Sequence, residues 1–308
     1  MVECFNIHIL QKEGGDLFDI SNVKCIYSKK CLESKWKINP TIILADPFLF
    51  VHNGILYLFF ESKNFFSPGV LKMVHTTDLE NWTEPVTVLK EKCHLSYPFV
   101  YEEGGRVYMI PETGAIGEVR IYQAEDDTLT HFTYKNTILK QPEGKIIKMG
   151  YGDSSIYKKD GVYYLMTMLQ YDDAVNTLEL YTSNNLFGPY VAHPCSPVTT
   201  CMKIGRNAGS WIEHKGNLYR VSQDCTRRYG DNVNVSEITR LSETDYNETL
   251  IKENILPPTM DKYNEGGHQY NTIVYRGMRI VATDAKEYHS MLVWRLADKV
   301  LRLLRVIR

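Results

Sequence analysis

The chain has 308 residues and a formal net charge of −2, with 35 Lys and Arg against 37 Asp and Glu. Such a length can bury a large core, and the near-even balance gives no whole-molecule attraction for nucleic acid. The 21 Tyr and 11 Phe suit strands, and no stretch is long and apolar enough to cross a bilayer as a helix.

The first ten residues, MVECFNIHIL, lack a basic start, a long apolar run and a small-residue cleavage site, so no secretory leader is expected. Phe5–Leu10 alternates as a strand and Gly14-Gly15 ends it. In a ring of sheets a terminal strand can complete the last sheet, and residues 1–40 are assigned that closing role. Seven cysteines, Cys4, Cys25, Cys31, Cys93, Cys195, Cys201 and Cys225, include no CxxC pair. They read as reduced thiols of a cytoplasmic protein, although Cys195 and Cys201 could join in an oxidising compartment.

From Ala45 the chain repeats itself. ADPFLFVHNGILYLFFE, residues 45–61, is a hairpin about Asn53-Gly54. Further two-residue turns stand at Gly104-Gly105, Asp160-Gly161, Lys215-Gly216 and Arg276-Gly277. Glycine supplies the positive φ such turns require. Hairpins are therefore predicted near 45–61, 96–112, 152–168, 207–223 and 268–284. Counting outward from each turn pairs Asp46 with Glu61, Tyr97 with Glu112, Asp153 with Met168, Ala208 with Gln223 and Gln269 with Asp284.

A third strand, a polar turn and an aromatic residue follow the early hairpins. Val70–Thr76 leads to Trp82, Glu118–Gln123 to Phe132 and Thr177–Thr182 to Tyr190, while 231–246 is a looser copy. Positions 46, 97, 153, 208 and 269 recur every 51 to 61 residues. A multi-strand unit of that period predicts an all-β, five-bladed β-propeller over 1–290. Residues 291–308, MLVWRLADKVLRLLRVIR, begin as a plausible last strand and continue as a basic amphipathic tail. Arg295, Lys299, Arg302, Arg305 and Arg308 recur there at helical spacing. Such a tail either lies on an anionic membrane through 296–308 or caps the propeller edge with its basic face solvated.

First strands line a propeller's centre, so the ring at one mouth should read Asp46, Tyr97, Asp153, Ala208 and Gln269. Glu61, Glu112, Met168, Gln223 and Asp284 stand behind it. Carboxylates and aromatic faces converge as a sugar site requires. Crowded carboxylates push one pKa up and separate acid from base, which makes Asp46, Glu61 and Glu112 candidates for catalysis. The alternative for Glu61 is neutralising a nearby cation, and for Asp46 holding a hydroxyl.

Asp46-Pro47 opening a strand, the segment Gly152–Gly161 and five blades together resemble glycoside hydrolase family 43. The resemblance implies that Asp46 is a general base and that Asp153 tunes pKa and orients substrate. That family's acid is a Glu entering from the fourth blade, where this chain has Arg206-Asn207-Ala208-Gly209-Ser210. Residues 45 to about 287 resemble more closely the N-terminal domain of glucosamine inositolphosphorylceramide transferases. His94–Pro98, Tyr108–Thr113, Arg206–Gly209, Ser222–Cys225, Tyr229-Gly230 and Gly266–His268 carry that likeness.

The second resemblance adds His94 and Asp224 to Tyr97, Arg206, Gln223, His268, Gln269 and Asp284 as substrate-binding candidates. Arg206 would hold phosphate or a sugar carboxylate, or else pair with Asp153 or Asp284. His268 is either a satisfied structural histidine or a ligand to a central divalent ion. With no second His or Cys at metal spacing, no metal site and no cofactor is predicted.

The first expectation is glycosyl transfer, or related glycosidic-bond chemistry, in assembly of a cell-surface glycan or glycolipid at the inner membrane face. Its partner would be a carbohydrate or sugar-phosphate. An inverting hydrolase is the second, needing carboxyl groups about 6.5–9.5 Å apart, which Asp46 and Glu112 could meet. A non-catalytic sugar-binding module is the third.

Overall fold

The computed structural model describes residues 1–32, 38–141, 149–172, 175–257 and 263–303. Its five hairpins turn at the expected pairs, each with positive φ at both residues: 49° and 74° at Asn53-Gly54, for example, and 52° and 82° at Lys215-Gly216. Left-handed geometry at both positions matches the right-handed twist of the flanking strands.

Strands β1 (Val2–Lys12) and β2 (Val23–Lys29) precede the first blade, which is β3 (Thr41–His52), β4 (Ile55–Asn64), β5 (Val70–Thr76) and β6 (Val86–Leu89). The second blade is β7 (Ser96–Glu103), β8 (Arg106–Glu112), β9 (Glu118–Ala124) and β10 (Phe132–Lys140). The third is β11 (Met149–Lys159), β12 (Val162–Asp172) and β13 (Val175–Ser183), with the short β14 (Val191–Ala192) and β15 (Thr199–Thr200) both on β13. The fourth is β16 (Ile212–His214), β17 (Asn217–Asp224), β18 (Asn232–Leu241) and β19 (Tyr246–Lys252).

The fifth blade combines both ends of the chain. β20 (Tyr270–Tyr275) and β21 (Met278–His289) are followed in space by β1 and β2. β1 pairs antiparallel with β21 from Val2 to Lys12 and meets β3 in parallel at Phe5 and Ile43. The N-terminal strand thus clasps the last blade to the first, and the chain is an all-β five-bladed propeller.

β1 also explains a correction at the other terminus. The last strand expected from Met291 is absent: β21 ends at His289 and Leu292–Leu303 form helix α1. With β1 in the third place of the fifth blade, the chain leaving β21 has no free edge beside it. The remainder of the basic tail, including Arg305 and Arg308, lies outside the described residues.

Register departs from the turn arithmetic at the open ends of the first three hairpins. Ala45, not Asp46, faces Glu61; Ser96, not Tyr97, faces Glu112; Gly152, not Asp153, faces Met168. A bulge interrupts each ladder, between Ala45 and Phe48, Ser96 and Phe99, and Gly152 and Ser155. Pro47 and Pro98 fit there because an interrupted ladder needs no N–H from them. The fourth hairpin also departs: Ala208 does not face Gln223, since Asn207 bridges Ser222 and Gln223 N donates to Arg206 O. The fifth keeps the expected register, with Tyr270 opposite Thr283.

The bulges leave Asp46, Tyr97 and Asp153 left-handed, at φ of 52°, 47° and 50°. Asp tolerates this conformation better than a bulky aromatic does, so Tyr97 must be held by its surroundings. Its ring meets Phe48 edge-on at 4.8 Å between centroids, inside an apolar cluster with Phe59, Phe99 and Phe132 that joins blades one to three. Its hydroxyl crosses the centre to blade four, donating to Gly209 O at 2.7 Å and accepting from Gly209 N–H at 3.0 Å. Fully buried, Tyr97 ties blade two to blade four and offers no aromatic face to a ligand, which corrects its assignment to substrate binding.

Gly209 is required where this tie lands. Its φ is 155°, and a Cβ there would lie 2.1 Å from Tyr270 O. Tyr97→Phe would leave both buried polar groups of Gly209 without that partner, so the unfolding free energy should fall by about 1–3 kcal/mol. Urea denaturation reads this directly, and an unchanged midpoint would contradict the cross-channel tie.

Candidate functional site

The bulges turn side chains of the inner strands toward the axis, and a cavity of about 720 Å³ opens above them. Asp46, Glu61, His94, Glu112, Arg206 and His268 line it among the predicted residues, and Lys63, Tyr229 and Phe5 among those not predicted. Asp153, Gln223 and Asp284 stand behind this wall: Asp153 bonds Arg206, Asp284 pairs with His268, and Gln223 bonds Asp153. Gln269 is fully buried below, its side-chain amide without a protein hydrogen-bond partner among the described residues. Asp224 is elsewhere engaged: it accepts from Thr226 N at 2.9 Å and Asn234 Nδ2 at 3.2 Å, holding a turn after β17. Its assignment to substrate binding is corrected accordingly.

Carboxylates fasten each bulge to a neighbour. Asp284 accepts the amides of His268 at 2.7 Å, Gln269 at 3.1 Å and, across the blade boundary, Asp46 at 3.2 Å. Asp46 Oδ2 accepts the amide of Tyr97 at 3.0 Å, and Glu112 Oε2 that of Asp153 at 3.2 Å. These carboxylates therefore cannot leave without freeing the backbone of the next blade.

Arg206 takes the fourth-blade place where a family 43 acid would enter. Its Nε donates to Asp153 Oδ2, and its Nη2 lies 3.5 Å from Glu112 Oε2. Of the two roles expected for it, pairing with a mouth carboxylate is the one present, and Asp153 is the partner. Its guanidinium also lies 5.1 Å from the centre of the Tyr229 ring. His268 is held likewise: Nδ1 is 2.6 Å from Asp284 Oδ2, Phe5 stacks on the ring at 4.5 Å, and Tyr229 stands edge-on at 5.2 Å. Arg227 and Arg228 pair with Asp231 rather than facing the mouth.

Asp46, Glu61, Glu112, Asp153 and Asp284 are all buried carboxyl groups, and Arg206 is the one buried guanidinium set among them. Charge repulsion and desolvation then favour retained protons. Burial, reinforced by Asp153 and Asp284 and opposed by His268, raises Asp46 to about 6. Burial and the Asp153 charge raise Glu112 to about 8 against the pull of Arg206. Burial and Asp46 drive Glu61 well above the usual carboxylate range.

His94 faces Glu61 from the rim. Its Nδ1 accepts from Gly69 N–H at 2.9 Å, so the neutral ring carries its proton on Nε2, 3.2 Å from Glu61 Oε1. Burial, then Lys63, lowers His94 to about 4. Lys63, two residues beyond Glu61 on β4, has no ion-pair partner among the described residues and is half-buried at the wall.

Asp46, His268 and Asp284 each bring one ligand atom within 4.8 Å of the others, a donor set that suits a divalent cation in kind. Asp284 is already engaged by three amides and an imidazole, and Asp46 Oδ2 by an amide. Hydrogen bonds thus already occupy part of this donor set, while Asp46 Oδ1 and His268 Nε2 face each other at 3.9 Å.

Sequence reasoning found the carboxylates because turn counting puts them at the hairpins' open ends. It missed Lys63, whose signal was its alternation with Glu61 along one strand face. It missed Phe5 because β1 joins the mouth only through long-range pairing.

The family described as glucosamine inositolphosphorylceramide transferase 1, N-terminal, matches residues 25–290. Glucosamine inositolphosphorylceramide transferase 1 of Arabidopsis thaliana is 32% identical over 258 residues, covering 82% of this chain and 31% of that protein. The protein of the same name from Oryza sativa subsp. japonica is 31% identical, with 82% and 32% covered. The chain thus spans about a third of the length of the curated relatives it matches. Among solved structures, a family 117 glycoside hydrolase of Zobellia galactanivorans superposes with a TM-score of 0.55 at 12% identity, covering 82% of this chain and 92% of that one. The α-L-arabinanase of Cellvibrio cellulosa gives 0.51 at 17% identity, covering 67% and 77%. These distant structures share the propeller fold.

Folding holds protons on Asp46 and Glu112 that the unfolded chain releases near pH 4. The stability these groups carry is therefore full below about pH 4 and is lost as pH rises through about 6 and then about 8. Glu112→Gln retains an acceptor for the Asp153 amide without the charge. Its melting temperature should match wild type at pH 5 and exceed it at pH 9. Parallel melting curves across that range would show that Glu112 carries no retained proton.

Proposed function

The chain belongs to the glucosamine inositolphosphorylceramide transferase 1 N-terminal family, and from that premise we propose that its mouth carries out glycosyl transfer or closely related glycosidic-bond chemistry. The observation that carries the reading is a pair of carboxyl groups on one cavity wall with separated proton affinities, Asp46 at about 6 and Glu112 at about 8. Near neutral pH one is a base and the other an acid.

In this mechanism Asp46 takes the proton of the acceptor hydroxyl, and Glu112 gives a proton to the departing oxygen. Asp153, behind the wall and held by Gln223 Nε2 at 3.0 Å, positions the Arg206 guanidinium at the cavity and acts on the sugar through it. Glu61, with His94 beside it, assists from the first blade. The relatives' name includes a phosphate-linked lipid, which supports an anionic group in donor or acceptor. Arg206 and His268 are already paired, so Lys63 is the cation we assign to that group.

A second reading is favoured by length. Because the matched region is about a third of the curated relatives, the same mouth could instead present a sugar as a non-catalytic module for chemistry performed elsewhere. Turnover separates the two.

The test combines calorimetry with turnover, using a panel of nucleotide sugars beside the matching free sugars and oligosaccharides. Lys63→Ala should weaken the nucleotide-sugar complex about 10- to 100-fold, the value of a charge-assisted bond. Asp46→Asn should keep binding and slow turnover by about 10²- to 10⁴-fold, as for loss of a positioned base. The pH profile should be a bell, rising near 6 and falling near 8. Binding of neutral oligosaccharides alone would remove the anion site, and hydrolysis of aryl glycosides would move the assignment to an inverting hydrolase. Binding without turnover of any kind would leave the module.

A further inference from the structure

We infer that helix α1 seats the propeller on an anionic lipid surface, with the mouth of the acidic cavity at that surface. Strand direction places it. β4 runs from the Asn53-Gly54 turn to Asn64, β21 runs from the Arg276-Gly277 turn to His289, and Val2 of β1 lies opposite His289. Asn64, His289 and Val2 therefore share the end of the molecule far from the turns, where Glu61 and Glu112 also stand. Helix α1 begins at Leu292 on that same end.

The helix root and the cavity wall are one patch. Met291 is buried against Cys4, Cys31 and Ile42, with Val2, Ile43, Phe65 and Trp294 packed around them. Val2, Ile42 and Ile43 also line the cavity.

Successive residues of a helix turn by about 100°. Leu292, Val293, Leu296, Val300 and Leu303 then share a sector of about 100° on one side, and all are 53 to 82% exposed. Trp294, Ala297 and Leu301, on the opposite side, are half-buried. Arg295 and Lys299 are exposed beside the apolar sector. The sequence continues with Arg302, Arg305 and Arg308, and Asp298 is the single acid from Leu292 onward.

Two further exposed apolar side chains stand at the same end. Met1 is 73% and Ile38 90% exposed. Ile38 is held at this end by its neighbour Asn39, which bonds Phe66 N at 2.9 Å and Ser67 Oγ at 3.0 Å just beyond β4.

Charge decides the occupant. A second copy of the chain docked through this face about a two-fold axis would cover the apolar sector but bring like charges together at Arg295 and Lys299. An anionic bilayer accepts both features, apolar side chains below the headgroups and cations among them. The surface stands independently of the glycosyl-transfer reading. Only the further step, that the sugar acceptor is borne on a lipid in that surface, rests on it.

Vesicle sedimentation of the full chain tests the seat, using phosphatidylcholine alone and phosphatidylcholine mixed with phosphatidylinositol. Wild type should sediment with the mixed vesicles and weakly with the neutral ones. R295Q/K299Q should bind the mixed vesicles about 30-fold less tightly, as expected for two lost cations. L296E/V300E should not bind, with both variants melting as wild type does. Since R295Q/K299Q alters only exposed groups, it serves if the glutamate pair disturbs the helix. Equal binding of either folded variant and wild type would overturn the inference. So would equal binding to neutral vesicles, or a wild-type dimer that L296E/V300E dissociates. Nucleotide-sugar calorimetry on the same proteins reads the cavity separately, so failure there would count against glycosyl transfer and leave the seat standing.

Discussion

Backbone amides in strained conformations, each capped by a carboxylate from another part of the ring, are the constraint on which the centre of this propeller depends. Asp284 receives the amides of His268, Gln269 and Asp46, Asp46 receives that of Tyr97, and Glu112 that of Asp153. The bulge residues that donate these amides, Asp46, Tyr97 and Asp153, are left-handed without being glycine, a conformation that costs about 1–3 kcal/mol and persists only where surroundings hold it. A buried carboxylate accepting an N–H supplies that hold. The same bonds aim the carboxyl groups at the axis, so the closure of the ring and the making of the site are one physical event.

That arrangement also fixes the electrostatics. Ring closure by acids brings several carboxyl groups into a small volume with water largely excluded, and one guanidinium cannot neutralise them. Burial and then the Asp153 charge carry Glu112 upward to about 8, and Arg206, held by Asp153, approaches it too loosely to offset them. Asp46 has the His268 imidazole 3.9 Å away and rises less. Burial raises both acids, and the charges around each, His268 beside Asp46 and Asp153 with Arg206 beside Glu112, set how far. A purely structural ring could have been closed with Asn or Gln, which accept the same amides without the repulsion.

The fold was legible because its signals are local. Five glycine turns, each requiring positive φ, set hairpin positions and the repeat length, and turn counting then brought Asp46, Glu61 and Glu112 to one end. The bulges were not legible: a one-residue slip arises from cross-strand pairing, with a proline at the interruption in the first two hairpins and none in the third, and turn counting assumes an uninterrupted ladder. That slip is why Tyr97 plugs the channel instead of lining the cavity. The helix at Leu292 was half legible. Its spacing of basic residues was plain, while the edge that excluded a strand there is filled by β1, from the far end of the chain.

Arg206 at the fourth-blade position has a consequence for any acid–base chemistry at this mouth. An acid entering from blade four would face Asp46 across the channel. With a guanidinium there instead, tied to Asp153, the carboxyl groups whose proton affinity burial raises most, Glu61 and Glu112, lie on β4 and β8 in blades one and two, as Asp46 does on β3 of blade one. Glu112 stands one blade from Asp46, whereas Glu61 shares its hairpin and pairs with its neighbour Ala45. Asp46 and Glu112 therefore stand on adjacent blades, and blades four and five present Arg206, Tyr229 and the Phe5-stacked His268. In the proposed reaction a ligand filling this cavity would meet carboxyl groups from blades one and two and aromatic and cationic groups from blades four and five, so polarity would orient it before any reacting bond is placed.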